Sequence, residues 1–287
     1  MSNILEIKNL NKSFKEFSLK DVSFSLPKGY IMGFIGPNGA GKTTTVKLIL
    51  NMLKRQSGEI KIFGLDNMAS EDEIKEQIGV VFDQPYYVDE WNLNEVQSAV
   101  KLFYKKWDGR IYGNYLKEFK LPPDKKVKDL SRGMKMKLML AVALSHDARL
   151  LILDEPTSGL DPVARDELMD ILGDYIISEE KSVLFSTHIT SDLEKIADYI
   201  TFIDNGEIVF TGTKDKLLES YCIIKGGKRD INPEQKKMIR GFREHNTGFE
   251  GLIHRNRLKE IKGNILSEPC TLDDIIIFMN RGRVYDE

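Results

Sequence analysis

The sequence predicts an α/β fold: a three-layer core on a mainly parallel sheet, an antiparallel side-sheet, a helical subdomain, and a small C-terminal α+β unit. Three observations predict it. Short, continuously apolar runs such as Leu150-Leu151-Ile152-Leu153 recur at 183–186 and 200–203, separated by helical patterns. Such runs are the form of parallel strands covered on both faces. Residues 4–10 and 19–26 instead alternate apolar with polar, as half-buried antiparallel strands do. Between the two patterns lies a glycine-rich loop, Gly36-Pro37-Asn38-Gly39-Ala40-Gly41-Lys42-Thr43.

Taken in order, residues 4–10 and 19–26 form two strands with a turn expected at Asn11-Lys12, and Pro27-Lys28-Gly29 ends the second. The apolar run 30–35 leads into the loop, and a helical pattern covers 44–52. A short strand is expected at 58–64 and a buried one at 78–82. Residues from about 90 to 145 read as the helical subdomain, interrupted at Leu121-Pro122-Pro123, since consecutive prolines stop helices. Its aromatics, Phe103, Tyr104, Trp107, Tyr112, Tyr115 and Phe119, are read as core packing. A helix is expected at 134–145. Asp204-Asn205-Gly206-Glu207 predicts a hairpin turn, and a new unit is expected from 221 to 287.

The loop carries the chemistry. Glycines let successive backbone N–H groups face inward, and the following helix adds partial positive charge at its start, so polyanionic phosphates settle there. The strand–loop–helix context is that of a phosphate-binding loop, and it predicts nucleoside triphosphate binding. Residues Gly36 to Thr43, with Thr44 behind them, form the expected cradle; Lys42 reaches the β/γ-phosphates and the Thr43 hydroxyl ligates Mg²⁺. A second motif follows the buried run: Asp154 at the strand tip holds Mg²⁺ through water, and Glu155 polarises the attacking water.

Composition narrows the class. Lys and Arg number 42 against 44 Asp and Glu, so global charge names no partner. The two cysteines have neither metal-ligand spacing nor a disulfide framework, which suits a reducing compartment. No run approaches the length of a membrane span, and the first residues lack the basic-then-apolar layout of a secretory signal.

Further motifs appear in a fixed order. Leu130-Ser131-Arg132-Gly133-Met134 precedes the acidic pair, Ser158-Gly159-Leu160-Asp161 follows it, and Ser186-Thr187-His188 ends the next strand. With this series the chain resembles the ATP-binding subunit of an ABC transporter, over residues 1 to about 220. The resemblance implies a P-loop ATPase that pairs head to tail with a second ATPase domain. It implies that Ser131, Arg132 and Gly133 form the signature motif and cap ATP held by the partner copy. It further implies that His188 holds the γ-phosphate geometry, that Asp161 of the D-loop couples the two sites, and that Phe14 stacks on adenine. The cofactors implied are ATP and Mg²⁺.

Two departures stand out. The family pattern Leu-Ser-Gly-Gly-Gln has Arg132 in place of its first glycine and Met134 in place of its glutamine. The Q-loop glutamine falls on Asp83, with Gln84 directly after it, and either residue can meet the metal. Leu130 to Leu138, the Phe82-Asp83 step, and the run Glu268-Pro269-Cys270-Thr271-Leu272-Asp273-Asp274 are similar to YtrB-like ATPases of ABC-2-type exporters, including those that export phenol-soluble modulins. This implies a separately encoded membrane-spanning permease and a place on the cytoplasmic face of the cell membrane.

Residues 225–262 hold eleven basic and five acidic side chains, a net charge of +6. They are read as the solvated face of a regulatory or dimer-forming extension, because they show neither a helical stripe nor aromatic interleaving. The alternative reading is an ABC-type ATPase that acts on ribosomes or nucleic acid. That reading has only the basic tail behind it, so nucleic acid is not the expected partner.

Overall fold

The computed structural model describes residues 2–281. The last six residues of the expected extension therefore lie outside the described residues. The chain divides into two compact units, Met1–Thr211 and Gly212–Glu287. In chain order the first unit contains β1 (Asn3–Ser13), β2 (Ser18–Pro27), β3 (Ile31–Ile35), α1 (Lys42–Ile49), β4 (Ser57–Ile62), β5 (Leu65–Asp66), α2 (Glu71–Lys75) and β6 (Ile78–Val81). Then come α3 (Leu93–Val100), α4 (Gly109–Glu118), α5 (Arg132–Leu144), β7 (Leu150–Asp154), α6 (Pro162–Ile176), β8 (Ser182–Thr187), α7 (Thr190–Ile196), β9 (Tyr199–Asp204) and β10 (Glu207–Thr213), whose last two residues fall past the division.

Strand order in the main sheet is β10-β9-β3-β8-β7-β6, and the five strands from β9 to β6 run parallel to one another. Alternation along these strands builds the three layers. Met32, Phe34, Leu150, Ile152 and Leu184 face one way and join the core formed by α1 and the antiparallel sheet β2-β1-β4-β5. Gly33 faces the other way, with Leu193 of α7 against it, and Gly79 of β6 meets Ala143 of α5. The α/β class and the mainly parallel sheet expected from the apolar runs are therefore present.

One local expectation fails. β1 continues through Asn11 and Lys12, and the chain reverses at 14–17, where Phe14 N donates to Phe17 O at 2.7 Å. Asn11 spends its turn-forming amide across the strands. Its Nδ2 donates to Asp21 Oδ1 at 2.8 Å, and its Oδ1 accepts from Asp21 N at 3.0 Å. The side chain bridges an irregular register instead of closing a turn.

The helical subdomain is assembled from α3, α4 and α5. Asn92 and Glu95 form a reciprocal capping box at α3, and Asp108 caps α4. Tyr112 is fully buried, and its hydroxyl donates to Leu93 O at 2.9 Å. Phe103 departs from the core-packing expectation: it and Leu102 are 76% and 77% exposed.

Tyr104 stacks on His146 with ring centroids 3.8 Å apart. Burial lowers the His146 pKa to about 4, only partly offset by the Glu76 backbone. The folded value lies below the unfolded value of 6.5, so the stabilisation is full above pH 6.5 and is lost as pH falls towards 4. The loss amounts to at most about 3 kcal/mol. Urea unfolding between pH 4 and 7 should show this slope in the wild type, and His146→Phe should flatten it. Equal slopes in the two proteins would refute the assignment.

The second unit contains α8 (Lys214–Ser220), β11 (Tyr221–Gly226), α9 (Pro233–Lys236), β12 (Arg240–Glu244), β13 (Phe249–His254), β14 (Ile265–Glu268) and α10 (Leu272–Arg281). Its sheet order is β12-β13-β11-β14, all antiparallel, around a core of Cys222, Ile224, Ile231, Ile239, Phe249 and Ile253. The division falls upstream of the expected break at 220, because α8 packs against β11 and the 3₁₀ turn at 255–260. Thr271 and Asp274 cap α10 reciprocally.

Candidate nucleotide site

The carboxyl ends of β3, β7 and β8 open on a cleft of about 870 Å³. Open parallel sheets bind ligands at this end, where loops diverge from the strand tips. Its walls include Asn38, Gly39, Gly41, Lys42, Thr43 and Thr44 of the loop, Asp83, Asp154, Glu155, Ser158 and His188.

The loop is shaped from both sides. Gly41 sits at φ +111 as the residue before α1, a conformation closed to most side chains, and a Cβ there would fall 2.6 Å from Leu19 and 2.8 Å from Phe17. Ala40 N donates to Pro37 O at 3.2 Å. From outside, Gly206 N donates to Ala40 O at 3.0 Å while Gly206 O accepts from Lys20 N at 2.9 Å. The hairpin turn Asn205-Gly206, both residues at positive φ, thus latches the loop to β2. The hairpin is legible in the sequence; its grip on Ala40, 166 residues upstream, is not.

Lys42 is buried. Its Nζ donates to Gly36 O at 2.7 Å and Pro37 O at 3.2 Å, and lies 3.2 Å from Glu155 Oε1. The second Glu155 oxygen is 2.7 Å from His188 Nδ1. Glu155 therefore bridges the loop lysine and the histidine. It does so from φ +52, a left-handed backbone that costs about 1–3 kcal/mol in a non-glycine residue and turns the carboxylate into the cleft. Thr187 Oγ1 accepts from Ile189 N at 2.9 Å, which fixes the turn carrying His188.

Asp154 is buried, and burial raises its pKa; hydrogen bonds from Thr43 and Ser186 oppose the rise, the latter at 2.9 Å. A desolvated carboxylate beside a hydroxyl is a hard-oxygen donor pair that suits a divalent cation. Among the described residues no group of three or more His, Cys, Asp or Glu side chains forms a metal cage. A cation here would need phosphate oxygens and water to complete its shell, the usual manner of Mg²⁺.

Asp83 lines the nucleotide cleft, whereas Gln84 lines only the neighbouring one. Phe14 is 44% exposed and stacks on Phe17 at 6.4 Å. The aromatics on the cleft wall are Phe17, Phe82 and Tyr86, and Phe14 is not among them; of these Phe17 lies nearest Gly41, and no motif around it marks it in the sequence. Ser131 caps α5, its Oγ accepting from Met134 N at 3.3 Å, which leaves the hydroxyl proton to donate elsewhere. Asp161 caps α6 by accepting from Val163 N and Ala164 N, and these bonds lower its pKa. Ser131, Arg132, Gly133 and Asp161 do not line the nucleotide cleft.

A phosphate loop on a parallel sheet, with a buried aspartate and a glutamate–histidine pair opposite it, defines a nucleoside-triphosphate-hydrolysing domain. The model of the ABC transporter family matches residues 19–158. The chain is 36% identical over 208 residues to the lantibiotic transport ATP-binding protein SrtF of Streptococcus pyogenes, covering 72% of this chain and 89% of SrtF. It is 29% identical over 284 residues to the ABC transporter ATP-binding protein YtrB of Bacillus subtilis (strain 168), covering 96% of this chain and 97% of YtrB. Among solved structures, an ATP-binding subunit of an ABC transporter superposes with a TM-score of 0.67 at 29% identity, over 75% of this chain and 91% of that one. The chain belongs to the ABC transporter ATP-binding proteins and is an ATPase. Among the described residues no helix is long and apolar enough to cross a membrane.

Proposed function

We propose that the protein binds Mg²⁺-ATP between two copies of its ATPase domain and powers export through a separately encoded membrane subunit. The observation that carries this reading is the incompleteness of the cleft. It holds the loop, Asp154, Glu155 and His188, but the signature residues of the same chain lie outside it. A second copy, or a related ATPase, would supply Ser131 and the Gly133 N–H to the γ-phosphate, with the start of α5 adding its dipole.

Within each half, Lys42 would hold the β/γ-phosphates, and the backbone from Gly36 to Thr44 would wrap them. Thr43, Asp154 through water, and Asp83 would hold Mg²⁺, which would neutralise charge on the phosphates. Glu155 would accept the proton of the attacking water, and His188 would hold the γ-phosphate opposite it. Asp161 would meet the partner at the seam. Phe14 would stack on adenine with Phe17 filling the space towards the loop.

Exposed Tyr86 and Val88 beside Asp83, and Leu102 and Phe103 after α3, offer apolar contacts to a membrane subunit. A peptide cargo is proposed because SrtF is named for lantibiotic transport. The unit from residue 221 is proposed to regulate the dimer or help form it.

Light scattering of Glu155→Gln with and without Mg²⁺-ATP tests the core of this reading. A shift to twice the monomer mass is expected, and Ser131→Glu should abolish it. A monomer that binds ATP and never pairs would refute the shared site. For the membrane subunit, the chain should sediment with membranes of its source cells, and Tyr86→Glu with Phe103→Glu should release it.

A further inference from the structure

Arg132 stands where the family pattern has glycine, and the structure shows where its side chain goes. The guanidinium lies against Gly159 in the D-loop of its own chain. A Cβ built on Gly159 would fall 2.6 Å from Arg132 Nη1, 2.9 Å from Cζ and 3.1 Å from Nε, so the planar group covers the face that glycine leaves bare. Gly159 itself sits at φ +69. The contact continues along the two helices. A methyl group on Gly133 would meet Ala164 of α6 at 3.7 Å, and Lys137 of α5 pairs with Glu167 of α6 at 2.6 Å. On its other side Arg132 borders a cleft of about 440 Å³ shared with Asp83, Gln84, Asp89 and Lys135.

We infer that Arg132 is a positioning residue that acts in cis: it holds its own D-loop in register with its own signature helix. The inference rests on the proposed two-copy site, where both segments of one chain face the partner. Closure of the signature helix on the partner's triphosphate would carry the D-loop, and Asp161 with it, into the seam as one piece. Ser131 and Gly133 would then contact ATP in trans, while the arginine between them serves its own chain. A charged ligand for the partner's phosphate would instead project away from Gly159. It would also work as well with lysine, because an ammonium is a point charge without a planar fork.

Hydrogen exchange on the nucleotide-free full chain reads the contact without any dimer. Ser158 N donates to Glu155 O and Leu160 N to Thr157 O, both at 3.1 Å, so these two amides report D-loop order. Arg132→Ala and Arg132→Lys should both speed their exchange by about fivefold or more while the rest of the chain keeps its protection. In steady-state ATPase assays both variants should lose about tenfold in kcat, with the KM for ATP within about twofold of the parent. Any of four results overturns the inference: unchanged D-loop exchange in Arg132→Ala, unchanged kcat, a loss confined to KM, or a lysine variant with parental behaviour. Ser131→Ala separates this outcome from failure of the two-copy reading. It should lower turnover with no change in D-loop exchange, and parental turnover in that variant would count against the shared site alone.

Discussion

Glu155→Gln is expected to reduce ATP turnover by about 10²–10⁴-fold, the range for removing a positioned general base. It should bind Mg²⁺-ATP more tightly than the parent. The second expectation follows from the unliganded geometry. Glu155 occupies Lys42 at 3.2 Å, so triphosphate must displace a carboxylate from the cation that is to hold it. The glutamine amide has the same shape without the charge, which removes both that competition and the repulsion between Glu155 and the γ-phosphate. Single-turnover hydrolysis and equilibrium titration of one preparation separate the two effects. Hydrolysis near the parental rate would exclude Glu155 as the base, and weaker ATP binding would mean that the Lys42 contact does not compete.

Lys42→Ala is expected to lose ATP affinity by about 10–150-fold, from charge-assisted hydrogen bonds worth about 1.5–3 kcal/mol. The fold should survive. The ammonium is bonded to the carbonyls of Gly36 and Pro37, and without it the loop still keeps its latch through Ala40 and Gly206. Calorimetric titration with Mg²⁺-ATP checks the affinity, and thermal unfolding of the same sample checks the fold. Unchanged affinity would contradict the phosphate assignment of the whole loop, because no other cation on the wall is as buried as Lys42.

Much of this architecture was legible because its cause is local. Leu150 to Leu153 read as a strand covered on both faces because every residue is apolar, and all are buried. The loop read as a phosphate cradle because glycine spacing and the next helix are adjacent in sequence. What escaped depends on long-range partners. Asn11 looks like a turn residue until Asp21 is seen opposite it. Phe17 has no motif around it; only the approach of Gly41 makes it a cleft wall. Phe103 has the composition of a core residue but sits on a short 3₁₀ turn after α3 that leaves it outside. The destination of the Arg132 side chain could not be read either, since Gly159 is 27 positions downstream and the contact exists only once α5 and α6 pack.

The latch on the phosphate loop also orders events during synthesis. β3, which delivers the loop, lies between β8 and β9, and the turn that grips Ala40 comes last, at Asn205-Gly206. A ribosome that has released only the first half of this polypeptide has released every glycine of the cradle, with Phe17 and Leu19 beside it, but neither strand that flanks β3. Nucleotide capture by a nascent chain is therefore expected only once residues through Gly206 have left the ribosome.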